Sequence, residues 1–146
     1  MRFSLLAALA SCALFVVADS RADDDAGAPR ALMTCERADA PGRVRCEVEV
    51  TTVAGMVITW GDVVIAKTPP FISALRGRIA PADAMVRRPD TWRWALALVA
   101  RTKGTGDVDA RARVVLCPSE GPDAGPLHDV CVPYEIAVAG RVVVGE

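Results

Sequence analysis

Residues 92–117, WRWALALVARTKGTGDVDARARVVLC, contain two runs in which every second side chain is apolar. The first run covers residues 92–100 and the second covers residues 108–116. A period of two is typical of a β-strand with one face in the core and one face in solvent. Because Gly104 and Gly106 lie between the runs, the pattern predicts an antiparallel hairpin.

The register of this hairpin can be argued from charge. Placing Arg101 opposite Asp109 gives a cross-strand ion pair and sets Trp94 against Leu116 on the apolar face. A shift of one residue would reverse the two faces, and a shift of two would oppose like charges. In the chosen register Cys117 falls on the outer face.

The same alternation continues elsewhere in the chain. Strands are predicted at residues 43–50, at 56–67 with a turn or bulge at Gly61-Asp62, at 71–78, and at 132–144 with a break at Gly140. Pro81 and Pro89 bracket one short helix near 81–88. We therefore expect an all-β fold of six to eight strands with one short helix, and one-sided strands favour a β-sandwich.

Four cysteines fall into two local pairs. Ten residues separate Cys35 from Cys46, and thirteen separate Cys117 from Cys131. No C-x-x-C motif occurs and no histidine lies near Cys35 or Cys46, so the pattern favours disulfides in an oxidising compartment. Local pairing closes two short loops, while the alternative joins Cys46 to Cys117 and Cys35 to Cys131.

That alternative comes from a resemblance to immunoglobulin domains. The spacing of Cys46, Trp60 and Cys117 is similar to the Cys–Trp–Cys pattern of such domains, which implies a core tryptophan beside a disulfide that joins two sheets. The tyrosine expected two residues before the second cysteine is replaced by Val115. The resemblance is one of architecture and indicates no specific family.

The N-terminus predicts export. Residues 1–22 resemble a signal peptide, with an apolar run too short to span a bilayer and small residues before Asp23. An alternative is a lipoprotein anchored through Cys12. Residues 23–30 are predicted to be a mobile acidic leader, and residues 31–146 form a single domain without a transmembrane segment. The mature protein is expected to be periplasmic or secreted.

Composition and motifs argue against several functions. With 17 basic and 18 acidic residues the chain carries no excess of positive charge, so no nucleic-acid partner is expected. The sequence has no phosphate-binding loop, no dinucleotide fingerprint and no zinc-ligand spacing, so no cofactor or metal is predicted. His128, the only histidine, lies in a loop, and no catalytic residues are predicted.

Two surfaces remain as candidates for ligand binding. On the outer face of the predicted hairpin lie the arginines Arg93, Arg101, Arg111 and Arg113, and on its other face Trp92 and Trp94 form a pair. Guanidinium groups suit carboxylate or phosphate, and paired indoles suit sugar rings. The sequence thus predicts a non-catalytic exported binding or interaction module of the bacterial cell envelope or extracellular space. The alternatives are an accessory protein for an anionic ligand or glycan and an envelope hydrolase with an unrecognised site. The expected partner is another envelope protein or an anionic glycan.

Overall fold

The computed structural model describes residues 27–119 and 130–145, and these residues form two antiparallel sheets packed face to face. Sheet A has the strand order β1-β2-β7-β4, and β6 also pairs with β7. Sheet B has the order β5-β3-β8-β9. The strands are β1 (Arg30–Cys35), β2 (Gly42–Thr51), β3 (Met56–Lys67), β4 (Ile72–Ala74), β5 (Arg78–Ile79), β6 (Val86–Arg87), β7 (Thr91–Ala100), β8 (Gly104–Pro118) and β9 (Val132–Val144).

Alternating side chains from both sheets fill the core. Sheet A contributes inward-facing residues of β2 and β7, and sheet B those of β3, β8 and β9. Trp94 of β7 is the largest fully buried side chain, and it lies against Gly61 of β3. A Cβ on Gly61 would approach the Trp94 ring to 3.0 Å, so glycine makes room here for the indole. The prediction of an all-β, two-sheet fold is confirmed.

The predicted hairpin at residues 92–117 is wrong. β7 belongs to sheet A, where it pairs with β2, and β8 belongs to sheet B, where it lies between β3 and β9. The short segment from Arg101 to Lys103 crosses from one sheet to the other. Gly104 and Gly106 do not form the turn; they lie within β8 and make room for Phe71 and Pro69. Both runs face the core as predicted, but they do so from opposite sides.

The predicted helix near 81–88 is also wrong. A single 3-10 turn at Pro81–Asp83 is followed by β6, which pairs with β7. The chain between β4 and β6 leaves sheet A, and β5 within it pairs with β3 of sheet B. The predicted strand at 71–78 is therefore two short strands in different sheets. These short strands raise the number in the described residues to nine, above the six to eight expected.

The breaks predicted within two strands are not found at the predicted positions. β3 has irregular pairing at Thr59 and Ala66, not at Gly61-Asp62. β9 runs without a break through Gly140, which is buried against Met33 and Cys35 of β1. Glycine is needed at this position because a Cβ would lie 2.6 Å from the Met33 Sδ atom. Close packing of β1 on β9 therefore joins the edges of the two sheets.

The two disulfides join Cys35 to Cys46 and Cys117 to Cys131. Cys35 and Cys46 are directly opposite each other in the β1–β2 register, and Cys117 is one residue past the pair Leu116–Val132. The immunoglobulin-like bridge between Cys46 and Cys117 does not form. Trp60 is exposed rather than in the core, so the immunoglobulin-like architecture is not confirmed. The disulfides themselves indicate an oxidising compartment.

Candidate ligand-binding face

The four arginines predicted to share one face lie on opposite sides of the protein. Arg93 is on the outer face of sheet A, where its guanidinium donates to Glu49. Arg101 is in the crossing segment between the sheets, and its backbone N–H donates to the Phe71 carbonyl. Arg111 and Arg113 are on the outer face of sheet B. Because β7 and β8 do not pair, the predicted arginine face does not exist as one surface.

The predicted tryptophan pair is in the core. Trp92 and Trp94 are buried with ring centroids 5.7 Å apart, and they continue the inward row of Leu96 and Leu98. Buried rings have no face to offer a sugar. The pair therefore belongs to the core, and its burial gives no support to a glycan site there.

Trp60 is the exposed tryptophan of the described residues. It is 38 % exposed and lies on the outer face of sheet B. Gly61 points into the core, so its neighbours Trp60 and Asp62 both point outward. The bulge at Thr59 re-aims the strand at this position, as bulges do.

Asp62 lies beside Trp60 and is fully buried although it points away from the core. Two arginines cover it. Arg113 of β8 donates from Nε to Oδ1 at 2.8 Å and from Nη2 to Oδ2 at 2.5 Å. Arg78 of β5 donates from Nε to Oδ2 at 2.5 Å. This carboxylate thus joins three strands of sheet B and fixes two guanidinium groups, which stay about half exposed.

The pKa of Asp62 lies below its usual 3.8. Burial alone would raise this pKa, but the hydrogen bonds from Arg113 and Arg78, with the charges of both groups, outweigh the burial. The hydrogen bond to Asp62 raises the pKa of Arg113 in turn. Asp62 is therefore ionised at neutral pH.

Replacing Asp62 by Asn is expected to lower the free energy of unfolding by about 2 kcal/mol at pH 7. The cost is below the 3–5 kcal/mol typical of a broken buried pair because both guanidiniums can turn to water. Since the folded pKa is lowered, the unfolded state binds a proton first as the pH falls below about 4. The difference between wild type and variant should therefore shrink toward pH 2, as measured by urea unfolding across that range.

Asp107→Asn is the matched control. Asp107 also accepts two hydrogen bonds from one arginine, Arg141, but its side chain is 50 % exposed. Exposed pairs add at most about 1 kcal/mol, so this variant should keep nearly wild-type stability. Equal losses for the two variants would contradict the importance of burial at Asp62.

The surroundings of Asp62 define a larger surface. In the register of sheet B, Trp60 is opposite Val115, and Val115 is opposite Pro133. These three residues form an apolar row. The adjacent row is charged: Asp62 is level with Arg113 and Glu135, and Glu135 also accepts a hydrogen bond from Arg111 at 3.1 Å. We call this surface the Trp60 face; it consists of Trp60, Asp62, Arg78, Arg111, Arg113, Val115, Pro133 and Glu135.

Sheet A presents a different surface. A groove of about 470 Å³ lies on its outer face, with Ala95 and Ala97 lining it between Leu75 and Arg45. Arg45 is engaged, since it pairs with Glu47 and donates to the Met85 sulfur. Arg43 also lines the groove, and no tryptophan does, so the groove lacks the exposed indole of the Trp60 face.

The Trp60 face could not be identified from the sequence because its residues come from four strands. Asp62 was the one local signal: a carboxylate in the middle of the apolar strand sequence VITWGDVVI. A charge in such a run needs a partner. Outside the described residues lie His128, the predicted signal peptide with the Cys12 alternative, and residues 23–26, which are half of the predicted leader.

The chain was compared with known proteins. No protein-family model matches it, and no curated protein shows significant similarity to it. In residues 27–119 and 130–145, no three histidine, cysteine or acidic side chains are grouped as metal ligands. The same residues contain no helix that is long and apolar enough to cross a membrane.

Proposed function

We propose that the protein is an exported, non-catalytic binding module of the bacterial cell envelope or extracellular space, and that it binds an anionic ligand on the Trp60 face. The observation that supports this most directly is the pair of guanidiniums held by the buried carboxylate of Asp62 beside an exposed indole. Export is supported by the two disulfides and by the signal-like N-terminal sequence.

The arrangement of charges favours binding of an anion. Asp62 carries one negative charge and holds two positive ones, so the cluster has a positive charge left over. Both guanidiniums are oriented before any ligand arrives. Fixing them in advance lowers the entropic cost of binding. Arginine is suited to this role because its planar fork matches carboxylate and phosphate.

The same geometry does not favour acid–base catalysis by Asp62. A general base works best with a pKa near the working pH and must reach the proton it removes. Asp62 is buried, its pKa is lowered, and both its oxygens accept hydrogen bonds from arginine. Binding without chemical change is therefore the better proposal, and the hydrolase alternative gains no support from this carboxylate.

The test is a panel of polyanions: polyuronate, a sulfated polysaccharide, polyphosphate and polyglutamate, measured by biolayer interferometry at physiological salt. Wild type is expected to bind at least one of them. The double variant Arg78→Gln, Arg113→Gln should bind about tenfold more weakly or worse, because it removes both fixed guanidiniums.

The charge-matched control is the double variant Arg76→Gln, Arg141→Gln. Both arginines are also paired with carboxylates, and neither belongs to the Trp60 face. The single variant Arg78→Gln covers the case in which the double variant unfolds, because Arg113 alone still holds Asp62 by two bonds. If no polyanion binds, or if both double variants lose affinity equally, the proposed function is wrong.

A further inference from the structure

The Trp60 face also indicates the chemical class of its ligand. Resting on the proposed function, we infer that the ligand is an acidic saccharide, with the apolar face of a sugar ring on Trp60 and its carboxylate on Arg113 and Arg78. Four features of the face lead to this inference: the pairing of its backbone, the position of the indole beside the guanidiniums, the apolar row, and the balance of charge.

Most of the backbone at this face pairs within sheet B. β3 lies between β5 and β8, and β8 lies between β3 and β9. A peptide that binds by strand addition needs an open sheet edge, where its main chain forms hydrogen bonds. Arg113 lies on β8, which is paired with β3 and with β9, whereas β5 pairs with β3 only at Val63 and Val64. This favours a ligand recognised by ring stacking and charge over an extended peptide.

The indole and the guanidiniums are neighbours on the outer face of sheet B. Trp60 and Asp62 are two residues apart on β3, which places them about 7 Å apart along the strand. Arg113 is opposite Asp62 and thus diagonal to Trp60. A pyranose ring has an apolar C–H face and carries its carboxylate at the ring edge. One acidic sugar can therefore cover the indole and reach the adjacent guanidiniums.

The apolar row supports the same orientation. Val115 and Pro133 continue from Trp60 across β8 and β9, so a further ring could rest on a surface without charge. Arg111 lies two residues from Arg113 on β8, and its pair with Glu135 is exposed on both sides. Exposed pairs are weak, so Arg111 can turn from Glu135 to a second carboxylate of the ligand.

The Trp60 face carries more positive than negative charge. The face holds three guanidiniums and two carboxylates, whereas the whole chain has a formal net charge of −1. The protein as a whole therefore does not attract polyanions. Binding at this face therefore depends on its local charge, and single substitutions among its arginines should change the affinity.

The experiment compares an oligouronate with a neutral oligosaccharide of equal length and with polyglutamate, using tryptophan fluorescence and isothermal titration calorimetry. The oligouronate should bind wild type and change the emission of Trp60, since Trp92 and Trp94 are buried. Trp60→Ala should lower the affinity about tenfold, and Trp60→Phe should restore part of it. The neutral saccharide should bind at least tenfold more weakly.

The outcomes separate this inference from the proposed function. If polyglutamate or polyphosphate binds through Arg78 and Arg113 while Trp60→Ala has no effect, the saccharide inference is wrong and anion binding stands. If the neutral saccharide binds as well as the oligouronate, the role of the arginines in ligand recognition is wrong. If no anionic ligand binds, both proposals fail. Near-ultraviolet circular dichroism of each variant checks that the fold is intact.

Discussion

Replacing Cys35 and Cys46 together by alanine is expected to lower the free energy of unfolding by about 4 kcal/mol. A disulfide that closes so short a loop contributes about 3 kcal/mol in the chain-entropy model. The remainder comes from packing, because Cys46 is fully buried and the Cys35 sulfur lies beneath Gly140. Removing both sulfur atoms leaves a void where β1, β2 and β9 meet.

Denaturant unfolding under oxidising conditions measures this loss. The matched control is the double variant Cys117→Ala, Cys131→Ala, which opens a loop of similar length. Its chain-entropy cost is also about 3 kcal/mol, but Cys131 is exposed and contributes little packing. A larger loss for the control pair than for Cys35 and Cys46 would show that the buried sulfur atoms do not stabilise the core.

The second large effect is expected for Gly140→Val, which should cost about 3 kcal/mol or more. A Cβ at this position would lie 2.7 Å from the Met33 Cγ atom and 2.9 Å from the Cys35 Sγ atom. Met33 is buried and Cys35 is fixed by its disulfide, so neither can move away easily. Overpacking of this kind typically costs 1–3 kcal/mol, and the branched side chain of valine adds a second clash.

The control is Ala139→Val at the neighbouring residue of β9. Ala139 is exposed and valine favours strands, so this variant should be as stable as wild type or slightly more stable. Gly140→Ala should fall between the two. Thermal and urea unfolding of the three variants would reveal the order, and a wild-type value for Gly140→Val would mean that β1 does not pack on β9 as described.

Local patterns were sufficient for much of the fold. The alternation in residues 43–50 and 132–144 predicted β2 and β9 because side-chain period is a property of a strand by itself. Of the two cysteine pairings considered, the local one is found in the structure. Cys35 and Cys46 lie on neighbouring antiparallel strands, and Cys131 directly precedes β9, the neighbour of β8, which carries Cys117; this arrangement brings residues close in sequence close in space.

The pairing of strands needed information that local patterns lack. Alternation in β7 and β8 shows that each strand has one apolar face, but it does not show which sheet each strand joins. Gly104 and Gly106 resembled turn residues, whereas they are needed for the close approach of Phe71 and Pro69. A glycine that makes room for a side chain cannot be distinguished in sequence from one that permits a turn.

The residues of the Trp60 face are even harder to bring together from local sequence patterns than the strand pairing is. Arg78 is 16 residues from Asp62, and Arg113 is 51 residues from it. Only the order of strands in sheet B brings the three together. Arg113 was among the predicted residues, but its neighbours were expected to be Arg93 and Arg101. The immunoglobulin-like cysteine spacing predicts that Trp60 lies in the core. It is exposed instead, because Gly61 is the residue of β3 that faces inward.

The order in which strands join the two sheets has a consequence for biogenesis. Between β2 and β8 the chain crosses from one sheet to the other five times, and β1 and β9 pack together although they are far apart in sequence. Neither sheet is encoded by a continuous half of the polypeptide, so an emerging chain has no self-sufficient unit to fold. Folds dominated by such distant pairings form slowly. We therefore expect the two sheets to be completed only once β9, the edge strand of sheet B, is available to pair with β8.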